Sequence, residues 1–215
     1  MKRALVLGDS GGIGSAIRVC LDADGWAVTG LSRRADGFDV TSEASVESHL
    51  GRLAPGFDLI FVATGALGTP EKALSQLSVE ELQAQFLVNA VGPALILKHA
   101  ARLLPRDRPA HFAALSARVG SIGDNGLGGW YSYRTAKAAL NQLLHTAAIE
   151  LKRKYPQLVV ACLHPGTVET EFTRDYPREK LAPEVAARAL LEVLLALGPA
   201  QSGQFFDYKG KPVPW

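Results

Sequence analysis

Ala4-Leu5-Val6-Leu7 runs into Gly8-Asp9-Ser10-Gly11-Gly12-Ile13-Gly14 and then Ser15-Ala16-Ile17-Arg18-Val19-Cys20-Leu21. Four unbroken apolar residues read as a short strand buried on both faces of a parallel sheet. The last seven residues have helical periodicity. A strand that passes through a glycine turn straight into a helix is the context a dinucleotide-binding loop needs. The glycines let the backbone turn tightly and approach a pyrophosphate, which then sits at the positive end of the helix. Gly8, Gly12 and Gly14 give the spacing Gly-x3-Gly-x-Gly, with Ser10 and Ile13 inside the loop.

The same unit repeats outward from this start. Trp26-Ala27-Val28-Thr29-Gly30-Leu31 reads as a second strand, ending at Ser32-Arg33-Arg34. An acidic residue at such an end would hold the ribose 2′-hydroxyl of NAD. A serine followed by two arginines favours the phosphate of NADP instead; the alternative is a solvated arginine pair. Phe38-Asp39-Val40 reads as a brief strand, and Thr41 or Ser42 caps the helix after it. Asp58-Leu59-Ile60-Phe61-Val62-Ala63 is the next strand, closed by Thr64-Gly65-Ala66, small enough for a ribose or nicotinamide to pass. Residues 78–104 are helical, with a break expected near Val91-Gly92 because of Pro93. Asn89, just before it, is either a helix-bending core amide or part of a site. His111-Phe112-Ala113-Ala114-Leu115 leads into Ser116-Ala117, and Leu158-Val159-Val160-Ala161-Cys162-Leu163 leads into His164-Pro165-Gly166-Thr167-Val168-Glu169-Thr170. Residues 169–181 are polar and poorly periodic, which suggests a mobile flap with Glu171, Arg174 and Asp175 solvated. A last helix opens at Pro183, and Phe205-Phe206-Asp207-Tyr208 is a final strand. The alternation predicts one α/β domain over 1–215. Its fold class is a Rossmann-type, doubly wound parallel sheet of six to seven strands with helices on both faces.

Bulk properties narrow the partners. The chain has 215 residues, 47% of them hydrophobic and 20% charged, with a formal charge of +2. So small an excess argues against nucleic acid or an anionic membrane as partner. No apolar run reaches the ~18 residues a membrane span requires. Met1-Lys2-Arg3 begins like a signal peptide, but the apolar run after it stops at Gly8, too soon for a signal core. Two cysteines in apolar surroundings, Cys20 and Cys162, suggest reduced thiols in a cytoplasmic protein. The five histidines lack metal-ligand spacing, so no metal is expected.

Tyr131-Ser132-Tyr133-Arg134-Thr135-Ala136-Lys137 carries the candidate chemistry. Tyr133 and Lys137 are four apart, on one face of a helix. An ammonium beside a phenol favours the phenolate and draws its pKa toward working pH, where acid–base catalysis is most effective. Trp130 and Tyr131 read as packing residues or as walls of a substrate cleft.

In this order, the glycine loop, Asp39-Val40, the Asn89 helix, the Ser116 region, Tyr133-x3-Lys137 and Pro165-Gly166-x3-Thr170 resemble the short-chain dehydrogenase/reductase family. The likeness covers nearly the whole chain. Gly120-Ser121-Ile122-Gly123 and Gly128-Gly129-Trp130-Tyr131-Ser132-Tyr133-Arg134 resemble its branch of bacterial C-factor-like proteins and insect sniffer-type carbonyl reductases. The resemblance implies hydride transfer between nicotinamide and a carbonyl or alcohol carbon. It makes Tyr133 the acid or base, and Lys137 the group that lowers its pKa and holds the ribose. Asn89 anchors a water relay, and a serine after the fifth strand bonds the substrate oxygen. Val168 and Thr170 seat the nicotinamide, with Pro165 and Gly166 before them; Ala63, Thr64 and Gly65 stand beneath it, and Asp39 and Val40 contact adenine. It also implies a homodimer or homotetramer through the helices that contain Asn89 and Tyr133.

Three positions depart from the family pattern. Leu7 stands where a threonine is usual. Ala63-Thr64-Gly65 replaces Asn-Ala-Gly. The usual serine pair falls on Ser116 and Ala117, so the catalytic hydroxyl comes from Ser116, from Ser121 or from no serine. Two functions are therefore carried forward: an NADPH-dependent reductase of aldehydes, ketones or quinones, and a cofactor-binding regulatory protein with weak or lost turnover.

Overall fold

A computed structural model describes residues 1–174, 176–177 and 179–215. Strand β1 (Arg3–Leu7) enters helix α1 (Gly12–Ala23) through the glycine turn, and β2 (Ala27–Leu31) follows. Next come α2 (Arg33–Asp36), α3 (Glu43–Gly51), β3 (Leu59–Val62) and α4 (Val79–Phe86). A π-helical turn, Leu87–Val91, joins α4 to α5 (Gly92–Ala100). Then β4 (Ala110–Leu115), α6 (Tyr131–Leu151), β5 (Leu158–His164), α7 (Pro183–Ala196) and β6 (Gln204–Asp207) complete the fold.

The six strands lie in the order β2-β1-β3-β4-β5-β6, each parallel to its neighbours. Successive strand residues point to opposite faces, so the unbroken apolar runs feed two cores. Leu5, Ile60, Phe112, Val160 and Phe205 pack with α3, α5 and α6 on one side. Ala4, Phe61, Ala113, Ala161 and Phe206 pack with α1 and α7 on the other. Both cysteines are buried and free, one in each core. No described helix is long and apolar enough to cross a membrane.

The structure corrects the sequence reading in two places and selects between its alternatives in a third. Phe38-Asp39-Val40 is not a strand, so the sheet stops at six. Its backbone donors are used locally: Phe38 N–H bonds Ser32 O at 3.3 Å and Asp39 N–H bonds Ser45 Oγ at 3.0 Å. Ser42 rather than Thr41 caps α3, because the Thr41 hydroxyl is turned to Asp39. The helical break comes one turn earlier than expected. Pro93 has no N–H to continue an α-helical ladder, and Gly92 N–H reaches back five residues to Leu87 O, which widens the turn around Asn89.

The expected flap is tied at its base. Glu169 N–H bonds Leu181 O and Leu181 N–H bonds Thr167 O, and the segment contains a 3-10 turn, Glu171–Thr173. Glu171 and Arg174 are exposed, as expected, and pair with each other. Asp175 lies outside the described residues.

Candidate active site

A cavity of about 900 Å³ opens at the carboxyl ends of the strands. At one end Gly11, Gly12 and Ile13 begin α1; Ala63, Thr64 and Gly65 form the floor; Tyr133, Lys137 and the 164–173 segment close the other end. Gly8 needs its freedom, with φ at +90°. A Cβ on Gly14 would run into the carbonyl of Gly8. Gly8, Ser10 and Gly14 thus shape the loop without lining the cavity, whereas Gly12 and Ile13 line it. The N-terminus of α1 has no side-chain cap and no acid in its first turn. Asp9 is held by Arg18 at 2.6 Å and lies over Gly30 of β2, a tie the sequence reading missed.

Helix α6 brings Tyr133, Lys137 and Asn141 onto one buried face, four residues apart each time. Lys137 Nζ donates to Leu115 O at 2.8 Å and sits 5.7 Å from the centre of the Tyr133 ring. Burial brings the Lys137 pKa down to about 8, against a smaller upward pull from Cys162. The Tyr133 phenol moves opposite to expectation. Burial pushes it well above its ordinary value, and Tyr176 beside it adds to the rise. Desolvation of the phenolate dominates, and Tyr133 keeps its proton.

Ser116 Oγ donates to Asn141 Oδ1 at 2.6 Å, so its proton is committed to α6. Ala117 lines the cavity without a hydroxyl. Ser121 is buried, accepts from Asp124 N–H at 3.1 Å, and is absent from the cavity wall. Among the described residues, four buried side-chain atoms have no hydrogen-bond partner: Thr64 Oγ1, Asn141 Nδ2, His164 Nδ1 and Tyr176 Oη. Thr64, Ser116 and His164 continue the paired rows Val62–Ala114–Cys162 by two residues, and His164 itself pairs with Asp207. Thr64 Oγ1 and His164 Nδ1 therefore lie along one polar rim of the sheet, and Asn141 Nδ2 belongs to α6, which Ser116 bonds from that rim. Burial, helped by Arg118 and opposed by Asp207 and Asp124, brings His164 down to about 4 and keeps it neutral near pH 7.

Asn89 is fully buried and fully bonded. Its Nδ2 donates to Ala66 O and to Gln85 Oε1, both at 2.8 Å, and its Oδ1 accepts from Ala66 N–H at 3.2 Å. Gln85 Nε2 in turn donates to Glu81 Oε1 at 2.9 Å. A Cβ on Gly65 would lie 3.1 Å from Asn89 Oδ1 and 3.8 Å from Lys137 Nζ. The bare Gly65 backbone thus stands between the two side chains. Asn89 is both things the sequence allowed: a core amide in a widened turn, and a neighbour of the site.

The loop past β2 lies outside the cavity. Ser32 caps α2, accepting from Ala35 N–H at 3.3 Å. Arg33 and Arg34 are exposed and form no ion pair among the described residues. Asp39 accepts two bonds from Thr41, which hold its carboxyl below the usual range. Val40 packs against Gly92.

Sequence reasoning missed Glu71. Its buried carboxylate accepts from Ser132 N–H at 3.2 Å and from the Ser132 hydroxyl, and its carbonyl accepts from Trp130 N–H at 2.6 Å. Gly128, Gly129 and Trp130 all have φ near +60°, at 65°, 65° and 55°. For tryptophan that conformation costs about 1–2 kcal/mol, and Glu71 holds it in place. The Trp130 ring then meets Tyr133 at 6.3 Å and Tyr176 at 5.6 Å, while Phe172 meets Tyr133 at 5.9 Å. Trp130 is both a packing residue and a cavity wall.

A family model described as enoyl-(acyl carrier protein) reductase matches residues 20–198. The chain is also 34% identical over 205 residues to 1-hydroxy-2-glutathionyl-2-methyl-3-butene dehydrogenase of Rhodococcus sp. (strain AD45), across 93% of this chain and 88% of that protein. This chain belongs to the short-chain dehydrogenase/reductase family. It is an oxidoreductase of that family. C-signal of Myxococcus xanthus is 35% identical over 146 residues, 66% of this chain and 84% of that protein. A solved short-chain dehydrogenase/reductase from Burkholderia multivorans with bound NADP is 25% identical, with a TM-score of 0.80 over 100% of this chain and 99% of that one.

Proposed function

We propose that this protein is an NADPH-dependent short-chain reductase that converts an aldehyde, ketone or quinone to the alcohol or hydroquinone. The carrying observation is one cavity that joins the uncapped N-terminus of α1 to the buried Tyr133–Lys137 pair. The site's own features fit the cofactor. An uncapped helix start suits a pyrophosphate; among the described residues Thr64 Oγ1 is unpartnered beside Gly8, and Arg33 and Arg34 stand unpaired past β2, where a 2′-phosphate would lie. The NADP-bound relative supports the same choice.

In this reading Gly8, Ser10, Gly12, Ile13 and Gly14 hold the pyrophosphate. Ser32 and Arg33 hold the 2′-phosphate, and Asp39 and Val40 border adenine. Ala63, Thr64 and Gly65 pass beneath the ribose, which Lys137 grips; Pro165, Gly166, Val168 and Thr170 seat the nicotinamide. Bound NADPH would supply a hydride to the carbonyl carbon. Tyr133 gives the carbonyl oxygen its proton, and burial keeps the phenol in the protonated form that reduction needs. Lys137 refills that proton, and Asn89 fixes the turn beside it. Reduced Cys20 and Cys162 fit a cytoplasmic setting. Phe86 and Leu87, exposed on the helical segment that contains Asn89, and Leu143, exposed on α6, fit a homodimer or homotetramer.

Purified protein should oxidise NADPH with some member of a panel of aldehydes, diketones and quinones. It should bind NADPH more tightly than NADH, with the gap closing in Arg33→Ala, and elute as a dimer or larger by light scattering. No turnover across the panel removes the reductase reading, a preference for NADH removes the NADP assignment, and a monomer at micromolar concentration removes the assembly. The second reading, a cofactor-binding regulatory protein, rests on Ala117 and the committed Ser116 hydroxyl. Tight NADPH binding without turnover would select it.

A further inference from the structure

No serine of the expected region offers its hydroxyl proton to the cavity: Ser116 gives it to Asn141, Ala117 has none, and Ser121 lies off the wall. A carbonyl oxygen that gains charge as it is reduced calls for more than one donor. The cavity lining also includes a hydroxyl without a partner among the described residues, that of Tyr176. Its ring packs on Trp130 at 5.6 Å, and Trp130 packs on Tyr133 at 6.3 Å. The two phenols are also close enough for one to perturb the other's ionisation.

We propose that Tyr176 is a second catalytic phenol, donating to the reacting oxygen the hydrogen bond that Ala117 lacks the hydroxyl to give. The inference rests on the reductase reading. The carbonyl carbon takes a hydride from the nicotinamide, its π pair moves to oxygen, and Tyr133 gives that oxygen a proton; the carbonyl is reduced and NADPH is oxidised to NADP. Tyr176 keeps its own proton throughout and stabilises the charge on oxygen before the transfer is complete. Burial raises its pKa to about 12, so it stays a donor across the working range. Trp130 fixes the ring, and Glu71 fixes Trp130.

Tyr176→Phe keeps the ring on Trp130 and removes only the hydroxyl. Loss of one donor to a developing oxyanion costs about 10²–10³ in rate, so kcat should fall about 100-fold, with KM, NADPH affinity and the thermal midpoint held. Ala117→Ser placed in the Tyr176→Phe background should recover at least tenfold by supplying a hydroxyl at position 117. A residue that merely packs would not be rescued in this way. If the parent is active, Tyr133→Phe is dead and Tyr176→Phe stays within threefold of the parent, the proposal falls and the reductase reading stands. A rate loss that Ala117→Ser leaves untouched, or that comes with weaker NADPH binding, also overturns it. A parent that turns over no carbonyl overturns both.

Discussion

Two helices carry polar residues at the same spacing and use them in opposite ways. Along α4 and the π turn, Glu81, Gln85 and Asn89 bond one another in series, and Asn89 spends its amide on Gln85 and the backbone of Ala66. Along α6, Tyr133, Lys137 and Asn141 do not bond one another. Lys137 makes one hydrogen bond, to Leu115 O, and Asn141 Nδ2 makes none. A saturated ladder fixes rotamers; an unsaturated stripe leaves bonding capacity for something that enters. Unmet buried polar groups lower stability, and proteins retain such losses chiefly at functional sites.

The sharpest way to break this contrast is Tyr133→Phe. It takes one hydroxyl from the unsaturated stripe and breaks no hydrogen bond among the described residues. General acid–base groups contribute about 10²–10⁴ in rate, so turnover should fall by at least 100-fold while the thermal midpoint holds or rises. Steady-state NADPH oxidation beside a melting curve reads both. Retained turnover would leave α6 with no chemical role to set against α4.

The next effect separates two asparagines. Asn89→Leu strands the part-buried N–H and C=O of Ala66 and the buried side-chain Oε1 of Gln85; at about 1–3 kcal/mol for each unsatisfied group, the loss should be on the order of 3 kcal/mol. For a chain of this size that is roughly a 10 °C drop in Tm. Asn141→Leu removes a donor that already had no partner and strands one buried group, the Ser116 hydroxyl, against three for Asn89→Leu, so its cost should be on the order of 1 kcal/mol. Urea unfolding of both variants checks the pair. Equal losses would mean that the two helices do not differ in saturation.

The strand–glycine–helix start and the apolar strands were legible because their signals are local: period, glycine spacing, unbroken apolar runs. Tyr133-x3-Lys137 was legible for the same reason, as one helical turn. Phe38-Asp39-Val40 misled because a strand needs a ladder partner, and Ser32 and Ser45 had taken its donors. Glu71 was illegible: it sits in a loop of ordinary polarity, and its partner Ser132 is 61 residues away. The Tyr133 pKa was misjudged because spacing shows the lysine but not the depth of burial. Ser116 lines the cavity but gives its hydroxyl proton to Asn141, a residue two turns past Tyr133 that no motif had marked.

The smallest effect belongs to the polar rim of the sheet. His164 is neutral near pH 7 because burial and Arg118 disfavour its charged form, with Asp207 and Asp124 pulling the other way. Its folded pKa, about 4, lies below the ordinary value of 6.5. Between those values the unfolded chain binds a proton that the folded chain refuses, so stability rises with pH across this window and is lost as pH falls from 6.5 toward 4. At about 1.4 kcal/mol per pKa unit, most of the effect, on the order of 2 kcal/mol, falls between pH 6.5 and 4.5. Carboxylates begin to titrate in the same range, so the informative quantity is the parent's loss minus that of His164→Gln, which keeps polarity and cannot charge. Urea midpoints at pH 7 and pH 4.5 should fall further for the parent. Parallel losses would place His164 in contact with solvent that accepts its proton, and the rim of unpartnered atoms would then be open where the saturated α4 ladder is closed.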